Sequence, residues 1–130
     1  MSQQQTRGGP GGGGGDGRVN GAKDYQEQMI MAWSESQLQQ HVILLATALG
    51  WKFYHTHDSR RSPAGFPDLV LVHAARGRLM FRELKAERGR YRPGQREWLE
   101  DLAAASADAG TWRPRDVVSG RIERELRSKA

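Results

Sequence analysis

An α/β fold is the class this sequence predicts, on three observations. Apolar residues recur at helical spacing in two separate stretches, short aromatic or aliphatic runs between them read as strands, and the two kinds of segment alternate along the chain. The expected order is helix, three strands, helix, strand, helix, with no internal repeat.

Each element has its own warrant. Residues 7–21, RGGPGGGGGDGRVNG, hold nine of the sixteen glycines. Such a stretch cannot bury enough apolar area to offset its ordering, so residues 1–23 are expected to be a disordered leader and 24–130 the folded domain. Arg7, Arg18 and Lys23 are too sparse for a strong nucleic-acid tether. Residues 24–33, DYQEQMIMAW, fit either a short helix or an extended lead-in.

Ser34 and Gln37 have the spacing of a capping box. Leu38, Val42, Leu45 and Leu49 then share a helical face until Gly50 offers a stop, which predicts a helix over about 35–49. Trp51 to Thr56 reads as a strand. After the loop HDSRRSPAGFP, Asp68 opens the apolar run LVLV. A turn at Ala75 to Arg78, containing Gly77, leads into a second hairpin strand over Leu79 to Ala86. Pro93 and Gly94 start the next helix, with Trp98, Leu99, Leu102 and Ala109 on one face and Gly110 at its end. A short strand at Thr111 to Arg113, Pro114 as a breaker, and a final helix through Ile122 and Leu126 complete the order.

Composition narrows the function. The chain has 130 residues, and without any cysteine it excludes thiolate zinc sites, cysteine nucleophiles and disulfides. No run approaches the roughly 18 apolar residues of a membrane span, and no secretory signal precedes the domain, so a soluble protein of the cytoplasm is expected. Twenty Lys and Arg against fifteen Asp and Glu give +5, an excess that favours a polyanionic partner.

The chemistry turns on one spacing: an acid at the mouth of an apolar strand, then Glu, one apolar residue and Lys about fifteen residues later. Strand alternation puts Glu83 and Lys85 on one face with Leu84 turned away, and hairpin pairing would bring Asp68 to the Glu83 end. Converging carboxylates repel unless a cation sits between them. Mg²⁺ or Mn²⁺ suits oxygen ligands from Asp68, Glu83 and the Leu84 carbonyl. Lys85 would then orient water or stabilise developing negative charge. The other reading is an exposed Glu83–Lys85 ion pair, and those residues alone do not decide. Pro67 fixes the backbone just before Asp68, a way to hold a ligand rigidly.

GFPDLVLV followed by RELKAERGRYRPGQREWLEDL resembles the VRR-NUC branch of the PD-(D/E)XK nuclease superfamily, with its Gly-x-Pro-Asp strand, Glu-x-Lys strand and a Gln on the next helix. The likeness runs over about residues 34–116. It implies a restriction-endonuclease-like core, a mixed sheet flanked by helices, and a metal-dependent nuclease that hydrolyses DNA phosphodiesters. The metal would be held by Asp68 and Glu83. Glu35, in the first helical turn, could reach it through water, and Gln95 could bond a phosphate or the attacking water. Acids are favoured at a helix start by the dipole alone, so Glu35 also has a structural explanation.

His55 and His57 lack a third ligand at defined spacing and are discounted as a metal site. Arg60 and Arg61 on the loop before the acid, with Arg88, Arg90, Arg92 and Arg96 beyond Lys85, are candidate DNA contacts. The four tryptophans are expected in the core or at an interface. Similarity to small junction-cutting nucleases implies a homodimer, since cutting two strands needs two sites, and branched or Holliday-junction DNA as a substrate. The compact chain with its leader suggests a phage or bacterial setting. The rival from another class is a non-catalytic DNA-binding module of the same fold, against which the acids count, since carboxylates facing phosphates gain a pure binder nothing.

Overall fold

The computed structural model describes residues 17–56 and 63–129. Its elements are α1 (Gly17–Met31), α2 (Glu35–Ala48), β1 (Lys52–His55), β2 (Leu69–His73), β3 (Arg78–Leu84), α3 (Gln95–Ala104), β4 (Asp108–Trp112), α4 (Pro114–Val118) and α5 (Arg121–Arg127). The strands form one sheet in the order β1-β2-β3-β4. β1, β2 and β3 run antiparallel in turn, and β4 lies parallel to β3. The expected mixed sheet flanked by helices is what is found.

Helix α2 starts where the capping box placed it. The Ser34 hydroxyl accepts from the Gln37 N–H at 3.1 Å, and the Gln37 side chain accepts from the Ser34 N–H at 2.9 Å. Leu38, Val42 and Ala46, four residues apart, face the sheet and are fully buried. They join Trp51, Leu69, Leu71, Met80, Leu84 and Trp112 from the sheet side and Ile122 and Leu126 from α5 in one core. Burial of each large aliphatic side chain there contributes roughly 1.5–3 kcal/mol. The Trp51 indole donates to the Leu126 carbonyl at 2.9 Å, tying α5 across that core.

The structure differs from the expected elements at four points. Residues 17–23 are helical as the start of α1, not part of the leader; residues 1–16 lie outside the described residues. The third helix ends at Ala104 instead of reaching Ala109, because Ser106 turns the backbone at φ 70° and residues 108–112 pair with β3. The strand expected at 111–113 is therefore longer and begins at Asp108. Pro114 does not merely break the chain: it opens α4, where a missing N–H costs nothing and the ring's fixed φ suits the first turn.

Beyond the core, Arg82 is 3% exposed and is held through its two terminal nitrogens, its Nε being buried without a hydrogen-bond partner. It donates to Asp108 Oδ1 at 2.8 Å and Glu125 Oε1 at 3.0 Å and stacks on Trp112 with 4.9 Å to the ring centroid. Arg78 also bonds Asp108, and Arg121 bonds Glu125 and Asp116. The network holds both carboxyls, Asp108 and Glu125, below their ordinary pKa through their guanidinium partners, against the opposing effect of burial.

Candidate active site

Leu69 stands opposite Arg82 in the β2–β3 pairing, so one step back places Asp68 across from Glu83. The Leu84 N–H donates to Asp68 Oδ2 at 2.9 Å, which fixes the acid against the strand that carries its partner. Glu83 and Lys85 are each 1% exposed, and Lys85 Nζ lies 3.5 Å from Glu83 Oε2. This disposes of the exposed ion pair on a solvated strand. The main-chain N–H of Lys85 donates to the Trp112 carbonyl at 3.1 Å, so β4 sets the height of the lysine.

Gln95, on the first turn of α3 and 8% exposed, bridges two elements. Its amide nitrogen donates to Glu83 Oε2 at 2.8 Å while its carbonyl oxygen accepts from the Arg92 N–H at 2.7 Å. In this structure it holds Glu83. Sequence reading placed Gln95 at the site but gave it phosphate or water as a partner.

The approach of α3 depends on two glycines. Gly65 (φ +99°) and Gly94 (φ +86°) meet backbone to backbone: a Cβ on Gly65 would lie 2.4 Å from the Gly94 carbonyl carbon, and one on Gly94 2.7 Å from the Ala64 oxygen. Phe66 closes the joint with edge-on contacts to Trp98 at 5.1 Å and Phe81 at 6.1 Å. Gly94→Ala combines a left-handed backbone, roughly 1–2 kcal/mol, with a clash against main chain that cannot rotate away. It is expected to destabilise the protein by at least about 2 kcal/mol in urea unfolding. Gly110→Ala, whose Cβ would meet nothing within 4 Å, is the control. Equal midpoints for the two variants would contradict this account of the joint.

Burial first, and then the charge of Asp68, raise the Glu83 pKa to about 8, with Lys85 pulling the other way. Glu83 Oε1 is buried without a hydrogen-bond partner. An orphaned carboxylate oxygen beside a second acid is an arrangement that a hard cation would satisfy, so the residues present fit Mg²⁺ or Mn²⁺. Among the described residues no three metal-ligating side chains cluster, so Asp68 and Glu83 stand as a pair. Glu35 is half-buried in the first turn of α2.

Arg88, Arg90, Arg92 and Arg96 are exposed on or beside the loop from Lys85 to Gln95. Arg60 and Arg61, with His57, lie outside the described residues. His55 is on β1, paired with Leu69. Trp51 and Trp112 are core residues, Trp33 packs against that core, and Trp98 is half-buried against Phe66. Sequence reading missed Arg113, whose guanidinium donates to the carbonyls of Ala86, Glu87 and Gly89 at 2.8, 3.2 and 2.8 Å and so folds the loop back after Lys85. An arginine just after a tryptophan gives no local sign of that task.

Among the described residues no helix is long and apolar enough to cross a membrane. No curated protein and no solved structure matches the chain significantly. The family model for the VRR-NUC domain matches residues 18–114, a span that holds Asp68, Glu83, Lys85 and Gln95. The match covers most of the chain and agrees with the mixed sheet and the paired acids, and on that ground the protein belongs to the VRR-NUC domain family, a nuclease-type family of DNA-processing domains.

Proposed function

We propose that this protein is a metal-dependent DNA endonuclease whose site is Asp68, Glu83 and Lys85. The observation that carries the reading is the buried acid pair with a lysine beside it and one carboxylate oxygen, Glu83 Oε1, left unsatisfied. Asp68 and Glu83, with the Leu84 carbonyl, would hold Mg²⁺ or Mn²⁺, and Glu35 would reach it through water. When bound, the ion supplies Lewis-acid polarisation of the phosphate and lowers the pKa of water.

The chain's own groups do the rest. Asp68, fixed by the Leu84 N–H, and Glu83, held by Gln95, present their oxygens with little freedom left to lose. Lys85 places a positive charge where water oxygen adds to phosphorus and negative charge grows on the phosphoryl oxygens. The bond from phosphorus to one bridging oxygen breaks, the water loses a proton, and one strand end keeps the phosphate while the other carries a hydroxyl. Arg60, Arg61, Arg88, Arg90, Arg92 and Arg96 would contact the DNA backbone.

The test is purified protein with Mg²⁺ or Mn²⁺ and a panel of labelled linear, nicked, flapped and four-way DNAs, in which metal-dependent cutting of at least one is expected. Tight binding with no turnover under any metal would instead establish a non-catalytic DNA-binding module. The protein is further proposed to act as a homodimer on branched DNA. Support comes from exposed apolar side chains on one face of β1, β2 and β3, Tyr54 at 64%, Val72 at 41% and Leu79 at 50%. Light scattering should give twice the 14.6 kDa chain mass, and a monomer with and without DNA would refute it.

A further inference from the structure

The chain leaves β3 through the turn from Ala86 to Gly89, directly after Lys85. Within that turn the Gly89 N–H donates to the Ala86 carbonyl at 3.0 Å. A stronger restraint comes from the end of β4. Arg113 Nη1 donates to the carbonyls of Ala86, Glu87 and Gly89 at 2.8, 3.2 and 2.8 Å. Converging carbonyl oxygens repel one another, and a shared cation replaces that repulsion with charge-assisted hydrogen bonds. Glu87 is also tied to Arg115, but that arginine is 60% exposed and such a pair contributes little.

The root of the Arg113 side chain is itself fixed. Pro114 biases the residue before it toward extended backbone, and Arg113 has φ −129° and ψ 167°. Its N–H donates to Asp116 Oδ2 at 2.8 Å, and the Tyr91 ring, whose hydroxyl bonds Thr111 Oγ1 at 2.6 Å, lies 6.0 Å from its guanidinium. The same corner holds the lysine by its main chain, because the Lys85 N–H donates to the Trp112 carbonyl at 3.1 Å. The turn also packs on the lysine stem: a Cβ on Gly89 would lie 3.6 Å from the Lys85 Cβ. Beneath it Lys85 is buried, with Nζ 3.5 Å from Glu83 Oε2. We propose that Arg113 is a positioning residue for cleavage: by holding this turn closed against the lysine stem, it keeps Lys85 Nζ in place beside Glu83. It acts through Lys85 and touches no reacting atom. This rests on the nuclease reading of the site.

The experiment compares the full chain with Arg113→Met, which fills the space without charge, and Arg113→Lys, which keeps a charged donor on a shorter stem. Amide hydrogen exchange is followed at Lys85 and Gly89, with β2 as the reference. In Arg113→Met those two amides should exchange about tenfold faster or more while β2 holds, whereas a variant that merely weakened the fold would speed β2 as well. With Mn²⁺ its kcat should fall about tenfold or more and its KM stay within about threefold, since a misplacement of about 1 Å can cost on the order of 10²-fold. Arg113→Lys should recover part of both losses, and it carries the comparison alone if Arg113→Met does not fold. Unchanged exchange at Lys85 and Gly89 overturns the proposal whether or not DNA is cut. Local loosening with a wild-type kcat overturns it too, as does a raised KM at constant kcat, the result a DNA contact would give. If the wild-type protein cuts nothing while the loosening is seen, the nuclease reading fails and the hold on the turn stands.

Discussion

Asp68→Asn and Lys85→Ala are each expected to lower Mg²⁺- or Mn²⁺-dependent cleavage by 10²-fold or more, the scale on which a single charge-stabilising group acts in a closed site, on the order of 10²–10³. Asparagine keeps an oxygen for the Leu84 N–H, so the strand junction survives while the charge that would hold the cation is gone. Lysine removal is a harsher change. Lys85 is 1% exposed and pairs with Glu83, so alanine leaves a cavity and an acid without its cation. Lys85→Met fills that space without charge and separates loss of chemistry from loss of fold. DNA affinity in EDTA should hold or rise in Asp68→Asn, because the acid it removes opposes phosphate. Cleavage at the wild-type rate by Asp68→Asn and Lys85→Met, with Tm intact, would remove these residues from the mechanism.

The second large effect is on stability without metal. Glu83 titrates near 8 in the folded protein against an ordinary 4.5. Below about 4.5 the group is neutral in folded and unfolded chains alike and contributes nothing. Between 4.5 and 8 the unfolded chain gives up the proton that the folded one keeps, so stability falls as pH rises. Above 8 the whole cost is present. Glu83→Gln is free of that cost. In EDTA its Tm should exceed the wild-type value at pH 9 by at least about 4 °C, the shift roughly 1 kcal/mol produces in a domain of this size, and the gap should close toward pH 5. Mn²⁺ should raise the wild-type Tm more at pH 8 than at pH 6, because binding must displace the proton, and leave the glutamine variant unmoved. A Tm gap independent of pH would contradict the placement of this acid.

The acid pair was legible because strand geometry is local. A period of two puts Glu83 and Lys85 on one face whatever surrounds them, and hairpin pairing from a glycine turn brings Asp68 opposite. The capping box of α2 was legible for the same reason, since Ser34 and Gln37 serve each other. The end of α3 was not. AAASADAG continues a helical pattern acceptably, and what stops it is distant: a parallel edge on β3, with Arg78 and Arg82 waiting for Asp108. Nor could Gly65 and Gly94 announce a contact between two loops far apart in sequence. The sequence also does not say which cations are free: Arg78, Arg82, Arg113 and Arg121 are engaged by carboxylates and carbonyls of their own chain, while each internal ion pair leaves the net excess of +5 as it was.

Strand β3 carries Arg82 and Glu83 as neighbours, one engaged by α5 and β4, the other by Gln95 and Lys85. Sliding that strand by a single position would thrust the guanidinium between two acids' intended seat and the carboxylate among apolar helices, an exchange penalised on both sides at once. The alignment that makes catalysis conceivable is thus guarded by ionic chemistry on the reverse of the sheet, and neutralising Arg82 would loosen the tolerances of a pocket it never touches.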